Sequence, residues 1–382
     1  MTLETKIAQL AQPALEDRRF RPQLFDLGRD DHRRSLDALI EARAVSAVSD
    51  TLREQLGELL TGRHLGKKRS QAEIDELVRA HLAGRSLGAY GAWAFYPWSG
   101  RLVHVLPERE YRELRHCRNL YKIDPAEQER LAGKTIGVVG LSVGQASAVT
   151  LAQEGVGRSF RLADFDALSL SNMNRLRAPA SSIGLLKVVI AAREMFEIDP
   201  YLSIDIWPEG LNEDNVEAFL TGGGAMDLLV EECDDLFIKL FVRERARAHK
   251  IPTVMDTNER GMLDVERFDL EPERPILHGL LGGLTAEDVL KMPPPARLGI
   301  ILRIVGATTM SSRAAASLLE FGRTLRGLSQ LGSDVTLGGA TTTAVVRRFG
   351  LGLPLASGRV FVDVSNLLAD VRPPDSGAGD DA

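Results

Sequence analysis

A chain of 382 residues, 44% hydrophobic and 26% charged, has enough apolar mass for a large buried core and enough length for two or three domains. Its formal net charge of −6 offers no general attraction to nucleic acid, and its two cysteines exclude both a disulfide framework and a four-cysteine zinc site. No run approaches the ~20 apolar residues of a membrane span, and Met1-Thr-Leu-Glu-Thr5 lacks the charged head and apolar core of a signal peptide, so the expected compartment is the cytoplasm.

Residues 1–106 read as an accessory helical region with an aromatic linker. Leu36, Leu39, Ile40 and Ala44 recur at helical spacing, and Val48, Leu52, Leu56 and Leu59 continue it, predicting a helix or a pair of helices with one apolar face. Ser70-x-x-Glu73 is a capping box that opens another helix through Ile74, Leu77, Val78 and Leu82. Between them the basic stretch from Arg63 to Arg69 is read as a solvated turn, with a phosphate or acidic partner as the alternative. Tyr90, Trp93, Phe95, Tyr96 and Trp98, followed by Leu102 to Leu106, suggest a hairpin around Ser99-Gly100. No cations interleave these aromatics, so packing against the next domain is favoured over base stacking.

Glu108 to Arg130 is a charged helical segment containing Arg115-His-Cys-Arg118. Arg118 has a bland reading as an ion-pair partner of Glu108 or Glu113, and Cys117 reads as a packing cysteine. Gly133-Lys-Thr135 is not a P-loop: position 128 is Gln where that motif needs glycine, and the triplet precedes a strand instead of following one.

The stretch from Lys134 to Lys187 is laid out as a nucleotide site. An apolar strand (Ile136, Val138, Val139) runs into Gly140-Leu-Ser-Val-Gly144 and a helix, and Gly155-Val-Gly157 leads to a second strand ending in Asp164-Phe-Asp166. Amides near Gly140 and Gly144, at a helix N-terminus, suit a phosphate. Asp164 falls a little over twenty residues after Gly140, where doubly wound folds place the acid that grips a ribose. Asp166 either orients the sugar or caps the following turn. The turn is imperfect, with Ser142 and Gln145 where the second and third glycines of G-x-G-x-x-G would stand. The polar cluster Ser171-Asn172-Met-Asn174-Arg175, with Lys187 beyond it, is what a triphosphate needs and a redox dinucleotide does not. Asn172, Arg175 and Lys187 form the expected clamp, while Ser171 and Asn174 fix the loop.

Further on, strands are expected at Ile204–Trp207, Leu228–Val230 and Ile251–Met255. The tip of the second of these carries Glu231-Glu-Cys-Asp234-Asp235. Four neighbouring acids suppress a Cys233 thiolate, and Asp235 suits a helix cap. Asp256 and Arg260 either touch a substrate or close the sheet. A helix rich in small residues spans Gly338–Val346, a last strand Val360–Asp363, and residues 371–382 read as a disordered tail.

Asp164-x-Asp166, Ser171-Asn-x-Asn-Arg175, Gly184-x-x-Lys187 and Cys233-Asp234-Asp235 together resemble the adenylation domain of the ThiF/MoeB and ubiquitin-activating enzyme family over roughly residues 110–270. The resemblance implies an α/β, doubly wound Rossmann-like sheet spanning 107–370. It implies an ATP-dependent adenylyltransferase that activates a carboxylate, the C-terminus of a ubiquitin-like or sulfur-carrier protein, a peptide or a small acid, and releases pyrophosphate. It puts a Mg2+ ligand on Asp234, makes Arg118 a finger reaching a partner subunit's site, and so implies a homodimer. Two other readings stay open: an NAD(P)-binding oxidoreductase, and a catalytically degenerate scaffold that binds a partner protein. Nothing in the sequence speaks for a nucleic-acid partner or a membrane.

Overall fold

The computed structural model describes residues 2–10, 16–66, 68–306, 310–320, 322–325 and 329–369; the expected tail lies outside them. Eleven strands are present among these residues: β1 Gln23–Phe25, β2 Ala47–Asp50, β3 Ala92–Tyr96, β4 Arg101–Val105, β5 Thr135–Val139, β6 Ser159–Ala163, β7 Ser203–Trp207, β8 Leu228–Glu231, β9 Thr253–Thr257, β10 Met262–Glu266 and β11 Gly358–Phe361.

The larger sheet has the order β11-β10-β9-β8-β5-β6-β7. Strands β5 to β9 run parallel, while β10 and β11 return antiparallel at one edge. β5 and β8 are almost wholly buried, Thr135 alone being half-buried, as strands covered by helices on both faces must be. One face carries Gly144–Glu154, Lys187–Ile198 and Gly332–Gly350; the other carries Val216–Thr221 and Leu236–Ala248, with Phe219, Met226 and Val242 in its core. Gly332–Gly350 comes close to Gly144–Glu154 because Gly339 leaves room for Ala146, whose side chain lies 2.8 Å from where a Cβ would stand. The doubly wound expectation holds. β10, unpredicted, is a fully buried strand whose Asp264 and Glu266 hid it from an apolar reading.

The charged segment from Glu108 is not one helix. Glu108–Arg115 ends before a short 3-10 turn, Cys117–Asn119, and Pro125–Ala132 starts afresh from a capping box between Asp124 and Glu127.

The first hundred residues hold more strand than their helical spacing suggests. β1-β3-β4-β2 form a second sheet. Helices in this region include Asp30–Glu41, Leu52–Gly62 and Gln71–Leu82, the last opened by the expected Ser70–Glu73 capping box, so Ala44 lies past the first and Val48 sits on β2, 60% exposed. An exposed four-residue edge strand has no buried face to imprint a two-residue period, so its apolar residue passed for part of a helix. The hairpin at Ser99-Gly100 is present, with Gly100 at φ +66° donating to Tyr96 O. Its aromatics lean on the larger sheet's helix Lys187–Ile198: the Tyr96 hydroxyl donates to Phe196 O and Trp98 Nε1 to Glu197. Arg63 is held by Glu113, and Arg69 donates to His64 O, so these two arginines belong to a surface turn.

Candidate functional site

Strand order reverses between β5 and β8, and ligands of open α/β sheets bind in the crevice outside such a point. Both strand tips there carry the residues singled out above. β5 ends in Gly140 at φ +85°, a conformation glycine adopts freely. A Cβ on Gly140 would lie 2.5 Å from the Glu232 carbonyl, so the turn can pass under β8 only without a side chain.

Asp164, at the tip of β6, holds this turn. Its carboxylate accepts from the Leu141 N–H at 2.6 Å and from the Asp166 N–H at 2.8 Å. Burial raises its pKa, and Lys187 together with those N–H groups opposes the rise. Asp166 accepts from Lys187 Nζ at 2.6 Å, while its carbonyl accepts from the Lys187 N–H. The Lys187 ammonium is thus held, 5% exposed, at the first turn of its helix.

The loop between β6 and that helix places the remaining clamp residues. Asn172 Oδ1 accepts from the Ser169 N–H and hydroxyl, leaving its NH2 group to donate elsewhere. Asn174 is committed within the fold: it donates to Gln330 O at 2.8 Å and accepts from Arg175. Arg175 Nη2 reaches Ser142 Oγ in the glycine turn at 3.3 Å. Partial burial lowers the Arg175 pKa, and the charge of Asp234 pulls it back up. Ser142, at first sight a defect in the glycine pattern, therefore ties the turn to the arginine. A small polar residue in the glycine turn, followed later by a basic loop, is the only hint of this in the sequence.

At the tip of β8, neighbouring acids have separate fates. Glu231 is buried and paired with Lys239 and Arg243. Glu232 accepts from the Asp256 N–H at 3.0 Å. Asp234 is exposed, without a hydrogen bond or ion pair among the described residues, and Asp235 caps Leu236–Ala248 through the Ile238 N–H. Burial, then Glu231, pushes the Cys233 thiol up to about 12, so it is no nucleophile at neutral pH. Asp256 is 4% exposed and Arg260 is paired with Asp363 at 2.5 Å; both sit in the closure of the sheet.

Arg118 is not brought to this crevice. It is exposed on the turn Cys117–Asn119, and Asn119 donates to Glu154 O at the far end of Gly144–Glu154. That helix has 11 residues, which at 1.5 Å each put the turn about 16 Å from the chain's own glycine loop. Glu108 is taken by Arg112 and Glu113 by Arg63, so the bland pairing for Arg118 is absent. Cys117 is exposed, correcting its reading as a packing residue: the helix breaks one residue before it and turns the thiol outward.

A divalent cation has one suitable anchor here, the free Asp234 carboxylate. Among the described residues no group of three or more His, Cys, Asp or Glu could hold a metal by itself. That donor set fits magnesium, which commonly rests on one or two carboxylates, substrate phosphates and water.

The architecture defines an open, doubly wound α/β protein with a basic loop near its switch point. The ThiF family model matches residues 115–317, more than half the chain, and the chain belongs to the ThiF family. An uncharacterized protein of Mycobacterium tuberculosis is 45% identical over 282 residues, covering 74% of this chain and 39% of that protein. The chain thus spans about two fifths of that relative's length. Molybdopterin-synthase adenylyltransferase of Haemophilus influenzae is 29% identical over 220 residues, 56% of this chain and 88% of that enzyme. Among solved structures, E. coli MccB with ATP aligns over 76% of this chain and 74% of its own, at 14% identity and a TM-score of 0.46. No described helix is long and apolar enough to cross a membrane.

Proposed function

We propose that this chain is an ATP-dependent adenylyltransferase: a substrate carboxylate attacks the α-phosphate of ATP, the α–β anhydride bond breaks, and an acyl adenylate and pyrophosphate form. The observation that carries the reading is the Arg175 guanidinium, bonded to Ser142 of the glycine turn and close enough to Asp234 to feel its charge. A dinucleotide reductase has no use for that arginine.

Asp164 positions the turn and meets the ribose hydroxyls with its remaining lone pairs. The free NH2 of Asn172, with Arg175 and Lys187, neutralises the polyphosphate; Lys187 exchanges part of its Asp166 contact for phosphate oxygen. Gly140 and Gly144 contribute backbone amides at the start of Gly144–Glu154. Asp234 would hold the magnesium ion, which when bound supplies charge neutralisation to phosphate oxygens. Catalysis is positioning and electrostatic stabilisation, without a covalent protein intermediate.

Arg118 serves another copy of the chain, since it lies a helix length from its own crevice; the working unit is a homodimer. The acyl substrate is a carboxylate: the C-terminus of a ubiquitin-like or sulfur-carrier protein, a peptide or a small acid, the first supported by a relative named ubiquitin-like modifier-activating enzyme 5. The test is ATP–pyrophosphate exchange with magnesium across a panel of carboxylates. Carboxylate-dependent exchange supports the proposal; none with any acid, alongside tight NAD(P)H binding, would replace it with the oxidoreductase reading.

A further inference from the structure

Gln145 stands where the glycine pattern calls for its third glycine, and the structure gives it work no glycine could do. It is the second residue of Gly144–Glu154 and is 3% exposed. Its side-chain NH2 makes two bonds, one to the Arg177 carbonyl at 3.0 Å and one to Glu194 Oε2 at 2.7 Å. Arg177 lies two residues beyond Arg175 on the clamp loop, and Glu194 lies on the helix that begins with Lys187. One side chain therefore joins the glycine turn's helix, the Arg175 loop and the Lys187 helix. Arg175 depends on such a tie. Its side chain makes only a 3.3 Å contact to Ser142 and a bond to its neighbour Asn174 among the described residues, and its Nε is buried without a partner there.

We propose that Gln145 is a positioning residue: by holding the Arg177 carbonyl against Glu194 it fixes the clamp loop so that Arg175 faces the crevice. The kinetic part of this rests on the adenylation reading; the structural part does not. Burial raises the Glu194 pKa, and the Gln145 bond opposes that rise.

Two variants test the assignment. Gln145→Met keeps the length and volume and removes both donors. It is expected to speed amide hydrogen exchange in residues 169–186 while β5 and β6 keep their protection. It should also raise KM for ATP in pyrophosphate exchange roughly tenfold, the scale of one or two lost hydrogen bonds, with a smaller change in kcat. Gln145→Glu sets a second carboxyl against Glu194, and the two can share a proton only at low pH. Its exchange activity and loop protection should approach wild type near pH 5 and fall as pH rises, a decline absent from the wild type. Unchanged loop protection in Gln145→Met, or a Gln145→Glu profile matching wild type, would overturn the proposal. A wild type without pyrophosphate exchange would instead count against adenylation, and hydrogen exchange would still decide the role of Gln145.

Discussion

Glu231 and Asp234 lie three residues apart at the end of β8, and they are used in opposite ways. Glu231 heads a buried ionic network: Arg243, itself fully buried, pairs with Glu231 and Glu266, and Asp264 on β10 takes Arg359 and His278. Asp234, whose charge acts on Arg175, has no hydrogen bond or ion pair among the described residues. The network closes the antiparallel edge of the sheet, and the crevice keeps charge in reserve. Buried charges cost several kcal/mol each unless paired, so the first cluster must be satisfied by the fold. The second lies in reach of water and can await a ligand.

That contrast can be broken from either side. Arg243→Ala would leave Glu231 and Glu266 buried without their shared cation and should cost about 3–5 kcal/mol by urea unfolding. A loss under 1 kcal/mol would mean that the network contributes little. On the crevice side, Arg175→Ala should lower pyrophosphate exchange by about 10²–10³-fold with the melting temperature nearly unchanged, the range seen when one charge-stabilising donor is removed; Lys187→Ala should lower exchange as much and also lower the melting temperature, because that ammonium is buried against Asp166. Retained turnover in both would remove the clamp.

Adjacent carboxylates sharpen the comparison further. Asp234→Asn should reduce exchange and raise the magnesium concentration needed for half-maximal rate without altering stability. Asp235→Ala should leave the rate intact and cost about 1 kcal/mol, because it removes only a helix cap. Similar behaviour in both variants would erase the distinction.

A pH effect concerns Asp256, whose pKa is raised to about 8 by burial first and the charge of Asp334 second. The folded state keeps this proton while the unfolded chain releases it near pH 4, so between about pH 4 and 8 the unfolded chain binds fewer protons and stability declines as pH rises. Asp256→Asn should flatten that slope, which thermal melts across the window would reveal.

The parallel core was legible because β5, β8 and β9 hold short apolar runs closed by glycine or acid. The candidate clamp was legible because its residues are neighbours in sequence. The edge was not. β10 carries Asp264 and Glu266, whose partner Arg243 comes from a helix some twenty residues earlier, and no local pattern announces such an arrangement. Ser142 and Gln145 were misread for a related reason. Departures from a glycine pattern look like losses until the loop they hold is seen beside them. Gly338 shows the converse: any side chain there would run into the Asp256 carboxylate, a restriction only tertiary structure reveals.

The turn at Cys117–Asn119 carries Arg118 away from its own crevice, so adenylation would depend on how crowded the molecules are. If the proposed homodimer is the working unit, specific activity should collapse on dilution past its dissociation point. Two inactive preparations, one lacking Arg118 and the other lacking Arg175, should regain turnover when mixed, because half of the sites in each hybrid would be whole.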